Sequence, residues 1–209
     1  MFNLRDKVIL VVGGRGYLGR DFCHYLKKQN GTVISADLKK SSTAASKSKD
    51  KKNQSNIIQT NIDVTSEKSV SRAVESIIKK YGKIDVLVFS VTAKPHDFYL
   101  PYTECSLKGW QSVISAELDG VFLVTQKVGK IIEYQKKGSI ILLSSMYGVV
   151  GNDQRIYKGS NLDRLYVNKK GKGDNKQIYS HSVYPAVKGG IISLTRYLAA
   201  YWGNKNIRV

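Results

Sequence analysis

The strongest constraint on this chain is an apolar run that ends in glycine. Val8-Ile9-Leu10-Val11-Val12 contains no polar residue, which is the pattern of a strand buried on both faces. It stops at Gly13-Gly14-Arg15-Gly16-Tyr17-Leu18-Gly19, and a helical pattern follows to about Gln29, where Asn30-Gly31 ends it. A doubly buried strand that feeds a helix through a tight turn is the first half of a parallel crossover unit. The rest of the chain repeats that grammar. Strands are expected over 32–36, 56–62, 84–90 and 139–143, with a last one starting at 207–209. Helices are expected over 66–80, 106–135 and 183–202. The alternation predicts an α/β fold, a doubly wound parallel sheet in three α/β/α layers.

With 209 residues, 42% of them hydrophobic, the chain suits one domain over 1–209. Its charge is unusual: 34 Lys+Arg against 16 Asp+Glu, a net +18. Such a balance raises a nucleic-acid reading. However, residues 38–56 carry +5 and residues 151–182 carry +4, half of the total, in segments rich in Ser, Gly and Asn. The 38–56 stretch has no interleaved aromatics and reads as a solvated loop, so no specific nucleic-acid partner is expected. Cys23 and Cys105 make neither a disulfide framework nor a zinc pattern, and both are expected as small buried residues. No metal site is expected. The N-terminus lacks the apolar core of a signal peptide, and no stretch is long enough for a membrane span, so a cytoplasmic location is expected.

The glycine loop carries the first chemistry. Gly13, Gly16 and Gly19, with Arg15, Tyr17 and Leu18 between them, sit where a strand gives way to a helix N-terminus. Glycines there permit a tight turn and close approach of a pyrophosphate, while the helix end offers N–H groups and a positive dipole end. Asp37, 18 residues past Gly19, closes the second strand and could accept hydrogen bonds from an adenosine ribose. Its charge repels a 2′-phosphate and favours NAD over NADP, although Arg15 could pair with that phosphate. A second group lies further on. Tyr184 and Lys188 share a helix face at i,i+4, so the ammonium can stabilise the phenolate. Ser144 and Ser145 follow the fifth strand, at the end of the sheet where such folds bind ligands.

Taken in order, these segments resemble the short-chain dehydrogenase/reductase family over nearly the whole chain. The resemblance rests on the glycine loop, Asp63-Val64, Gly138-Ser139-Ile140-Ile141-Leu142-Leu143-Ser144-Ser145, and Tyr184-Pro185-Ala186-Val187-Lys188-Gly189-Gly190. It implies a Rossmann fold and an NAD(P)-dependent oxidoreductase. Hydride would pass between nicotinamide and a carbinol or carbonyl carbon. Tyr184 would donate or accept the proton, Ser145 would hold the substrate oxygen, and Lys188 would bind the nicotinamide ribose. Asp63 and Val64 would border the adenine, with Ser90 nearby on the cofactor side. Family members are homo-oligomers, which implies contacts along the helices 106–135 and 183–202.

The chain also departs from the family pattern. The 13-16-19 spacing is similar to the extended branch, whereas the Tyr184 segment is similar to the other main branch. Phe89-Ser90-Val91-Thr92 replaces an Asn-Asn-Ala-Gly segment. Glu117 stands where many members carry the asparagine of the proton relay; a carboxylate there can still hold a relay water, but its charge alters the site. Ser145 and Tyr184 are 39 residues apart, longer than is usual, because of a basic insertion at about 152–178 that holds Tyr157 and Tyr166, with Tyr179 just after it. Placed over the cleft, it suits a small-molecule substrate that is anionic or sugar-derived; a solvated loop without a role is the equal alternative. Gln154 to Ser160 resembles members found with bacterial flagellin-modification and surface-sugar pathways. Family members continue beyond Val209, so a fold that lacks its last strand region is expected. That expectation leaves open a truncated or degenerate cofactor-binding relative without turnover, and the +18 charge leaves open a nucleic-acid binder.

Overall fold

A computed structural model describes residues 3–38, 57–158 and 178–209. The lysine-rich stretch 39–56 and the insertion residues 159–177, Tyr166 among them, lie outside the described residues. The strands β1 (Val8–Val12), β2 (Thr32–Asp37), β3 (Ile58–Asn61), β4 (Val86–Phe89), β5 (Gly138–Leu142) and β6 (Ile207–Arg208) form one parallel sheet in the order β3-β2-β1-β4-β5-β6. The helices are α1 (Tyr17–Lys28), α2 (Glu67–Tyr81), α3 (Leu107–Val113), α4 (Gly120–Gln135) and α5 (Val183–Trp202).

All five residues of β1 are buried, because the strand sits mid-sheet with a helix layer on each face. Leu10 and Val12 join the larger core with Val70, Val74, Val124 and Val187, whereas Ile9 and Val11 pack with Cys23 on the α1 side. These are the two outer layers of a three-layer α/β/α Rossmann fold. Strand order reverses between β1 and β4. The carboxyl ends of the strands flanking that reversal form the crevice in which such sheets bind ligands.

Three sequence expectations need correction. The strands at 56–62 and 84–90 are shorter, because their flanking residues leave the ladder before the apolar pattern ends. Cys23 is buried, and burial pushes its thiol up to about 11, but Cys105 is only half-buried. The single helix expected over 106–135 is interrupted: Ile114–Asp119 is a π-helical turn between α3 and α4. Hydrophobic periodicity does not report such a turn, since a single widened turn shifts the apolar stripe by only one position. π-turns cluster at functional sites, and this one carries the fully buried Glu117.

Candidate functional site

At the end of β1 the chain turns through Gly13, whose φ of 81° favours glycine. A Cβ there would lie 2.5 Å from the carbonyl oxygen of Ser90, the residue that follows β4. A Cβ at Gly19 would lie 2.1 Å from the carbonyl oxygen of Gly13, so helix and turn close on each other only without one. Gly16 is the N-cap of α1 and offers no side chain to satisfy the first-turn N–H groups. Tyr17 and Leu18 point outward, 81% and 51% exposed. A cradle that any Cβ would fill, beside an uncapped helix N-terminus, fits a dinucleotide pyrophosphate.

Asp37 ends β2 and faces this cradle. One of its oxygens accepts from the Arg15 N–H at 2.8 Å and the other from the Leu38 N–H at 2.8 Å. The Arg15 guanidinium reaches across to the Leu38 carbonyl at 2.5 Å and Gln59 Oε1 at 3.2 Å. Asp63 follows β3 and accepts from Thr65 N and Oγ1, while its neighbour Val64 is buried against Gly120. The glycine loop, Asp37 and Ser90 therefore line one rim of the crevice.

The second group gathers at the end of β5. Ser144 Oγ donates to the Lys188 carbonyl at 2.7 Å, and Ser145 Oγ accepts from Tyr147 N at 3.2 Å. A Cβ on Gly148 would lie 2.7 Å from the Lys188 carbonyl carbon, so the whole 144–148 segment lies flush on α5. Lys188 Nζ sits 5.5 Å from the centre of the Tyr184 ring and donates to the Leu143 carbonyl at 3.3 Å. Ser145, Tyr184 and Lys188, 39 and 43 positions apart in the chain, thus share one end of one strand.

Glu117 completes the group from the π-turn. Its Oε2 lies 2.9 Å from Lys188 Nζ, with side chains 0% and 5% exposed, a close charge–charge approach rather than an aligned hydrogen bond. Its Oε1 accepts from the Ala93 N–H at 3.0 Å, which ties the loop after β4 to the site. Lys94 in that loop also feels the Glu117 charge, although burial, the larger influence, lowers its pKa.

A model of the short chain dehydrogenase family matches residues 7–160. The chain belongs to the short chain dehydrogenase family. Post-translational flagellin modification protein A of Campylobacter coli is 28% identical over 208 residues, spanning 99% of this chain and 75% of that protein. A 3-oxoacyl-[acyl-carrier-protein] reductase of Thermotoga maritima is 27% identical over 207 residues, spanning 99% of this chain and 72% of that protein. A Leptospira borgpetersenii short chain dehydrogenase solved with bound NAD+ superposes with a TM-score of 0.77 at 25% identity, covering 99% of this chain and 70% of that one. The family makes the chain an NAD(P)-dependent oxidoreductase with a nicotinamide cofactor and a small-molecule substrate. Among the described residues, no helix is long and apolar enough to cross a membrane, and no group of acids, histidines and cysteines could hold a metal ion.

Around this dehydrogenase site, sequence reasoning missed Tyr147 and Phe98, and it named Tyr157 and Gln154 without their contacts. Tyr147 meets the Tyr184 ring edge-on at 6.5 Å, and Phe98 does the same from the other loop at 6.5 Å. Tyr157, from the near end of the insertion, is half-buried, and burial, followed by the neighbouring Tyr147, raises its phenol above the ordinary range. Gln154 Oε1 accepts from Ser180 N at 2.9 Å and its Nε2 donates to Ser180 O at 3.3 Å, which joins the two ends of the insertion. Tyr147 and Phe98 belong to no long periodic element, so no pattern in the sequence pointed to them.

Proposed function

We propose that Tyr184, Ser145, Lys188 and Glu117 form the catalytic group of an oxidoreductase that acts on a hydroxyl or keto carbon of a sugar-derived small molecule. The observation that carries this reading is the convergence of Ser144–Gly148, Tyr184 and Lys188 at the carboxyl end of β5, across the crevice from the glycine cradle. Gly13, Gly16 and Gly19 would hold the pyrophosphate, Asp37 the adenosine ribose, and Lys188 the nicotinamide ribose; Asp63, Val64 and Ser90 would border the cofactor. When bound, the nicotinamide supplies or accepts the hydride. Tyr184 gives its phenolic proton to the substrate oxygen in reduction and takes it back in oxidation. Ser145 donates a hydrogen bond to that oxygen. The Lys188 ammonium stabilises the phenolate, and Glu117 stands behind it as the group that relays the proton. Asp37, with one oxygen held by the Arg15 N–H of the glycine loop at the ribose position, supports NAD over NADP.

The surroundings of α5 support this substrate class. A cavity of about 480 Å³ opens beside Pro185; Pro101, Tyr102 and Tyr179 give it a largely apolar wall, in which Asn152, Gln154 and Ser180 are set among the polar residues. Among the described residues its lining pairs aromatic rings with uncharged amides and hydroxyls, a combination that supports a sugar-like group. Turnover of neutral against carboxylated sugar derivatives, with NAD and NADP as alternative cofactors, tests the reading. Neutral substrates and NAD should be preferred, and exclusive use of acidic substrates would refute this part. A cofactor-binding protein without turnover is the second reading, favoured by the Glu117 charge that offsets Lys188. Cofactor affinity without hydride transfer to any carbonyl in such a panel would establish it.

A further inference from the structure

The first turn of α5 must place Tyr184, yet it lacks the usual cap. A helix begins with N–H groups that find no partner inside it, and a serine just before the helix ordinarily accepts from one of them. Ser182 occupies that position but its side chain caps nothing, and its Oγ is buried without a hydrogen bond. Pro185 has no N–H to satisfy. The Val183 and Tyr184 N–H groups both turn to one residue instead. Val183 N donates to the Nδ1 of His181 at 3.0 Å, and Tyr184 N donates to the His181 carbonyl at 3.1 Å.

His181 is itself clamped. It is 1% exposed and stacks on Phe98, with ring centres 5.6 Å apart and planes inclined by 29°. The same Phe98 meets the Tyr184 ring edge-on, so one phenylalanine touches both the cap and the phenol. Beside Phe98, the buried Asp97 accepts at one oxygen from the N–H of Ser106 at 2.8 Å and from its Oγ at 2.6 Å. These bonds fix the loop after β4 to the start of α3. They also hold the Asp97 carboxyl below its usual range, so it stays ionised beside His181. An imidazole that accepts at Nδ1 carries its proton on Nε2.

We propose that His181 is a positioning residue for Tyr184: as the Nε2–H tautomer it caps the first turn of α5 and, wedged on Phe98, sets where the phenol stands. The inference rests on Tyr184 as the proton-transfer group, but the cap can be read without turnover. Nitrogen NMR of the wild-type protein at neutral pH should find Nδ1 unprotonated; a proton on Nδ1 would overturn the proposal, whether or not any variant folds. In hydrogen exchange, the Val183 amide of His181→Phe, which keeps a ring but no acceptor, should lose at least tenfold of its protection. His181→Asn, which restores an acceptor, should recover most of it. In turnover, His181→Phe should lower kcat about tenfold with the KM for cofactor changed less than twofold, and His181→Asn should regain most of kcat. Unchanged Val183 exchange in a folded His181→Phe, or equal losses in kcat and cofactor affinity, would overturn the proposal. A wild-type protein that binds cofactor without turnover would sink the catalytic reading of Tyr184, while NMR and exchange would still decide the cap.

Discussion

Replacing Glu117 by glutamine removes one charge from the most buried ion pair of the site while keeping an oxygen for the Ala93 N–H. Lys188 then stays buried at 5% side-chain exposure with the Leu143 carbonyl as its remaining polar contact among those described. Removing one partner of a buried pair leaves the other charge uncompensated, at a cost of about 3–5 kcal/mol. For a chain of this size each kcal/mol lowers Tm by about 2–4 °C, so a fall of roughly 6–20 °C is expected. Lys188→Met should cost a similar amount by stranding the carboxylate, and the double variant should cost less than the sum of the two. Urea unfolding of all four proteins gives the coupling energy, expected at about 2 kcal/mol or more. A Glu117→Gln protein within about 0.5 kcal/mol of the parent, with negligible coupling, would refute the assignment of a charged pair.

Other consequences follow from the same geometry. Asp37→Ser removes the carboxylate that repels a 2′-phosphate and leaves Arg15 in place, so the preference for NAD over NADP in cofactor titrations should fall by about tenfold or more. Gly19→Ala drives a methyl into the Gly13 carbonyl; cofactor binding should be lost, with a drop in Tm, whereas an alanine at the open Gly151 should leave both unchanged. Burial depresses the pKa of His181, against a smaller opposing pull from Asp97. The unfolded state therefore binds the proton first on acidification. Stability should be full above about pH 6.5 and decline as pH falls from there toward the lowered folded value. Urea midpoints measured against pH should show a shallower decline in His181→Asn; an identical slope would contradict the assignment.

The parts of the fold that obey a period were legible in the sequence. The all-aliphatic β1, the glycine turn, and the Val70, Val74 and Ile77 face of α2 each place themselves by burial alone. The placement of the proposed site residues was legible because short spacings carry it: Tyr184 and Lys188 on one helix, Ser144-Ser145 at a strand end. What stayed hidden depends on contacts between loops. Glu117 was visible as an unusual residue, but its pairing with Lys188 needs the π-turn that the apolar pattern of 106–135 conceals. His181 and Asp97 carry no signal in the sequence, since nothing local announces that they are buried and that His181 stacks on Phe98. The contacts of the Arg15 guanidinium with Leu38 and Gln59 are long-range ones that residue spacing does not encode.

In the proposed reaction, Tyr184 handles the proton that accompanies hydride transfer. The most direct test of this role follows deuterium from the C4 position of reduced cofactor into the product carbon, in the wild-type protein and in Tyr184→Phe. The wild type should transfer the label, and the phenylalanine variant should bind cofactor as tightly but transfer it about 10²–10⁴ times more slowly, the usual worth of a positioned acid–base group. Equal transfer rates in the two proteins would contradict the account.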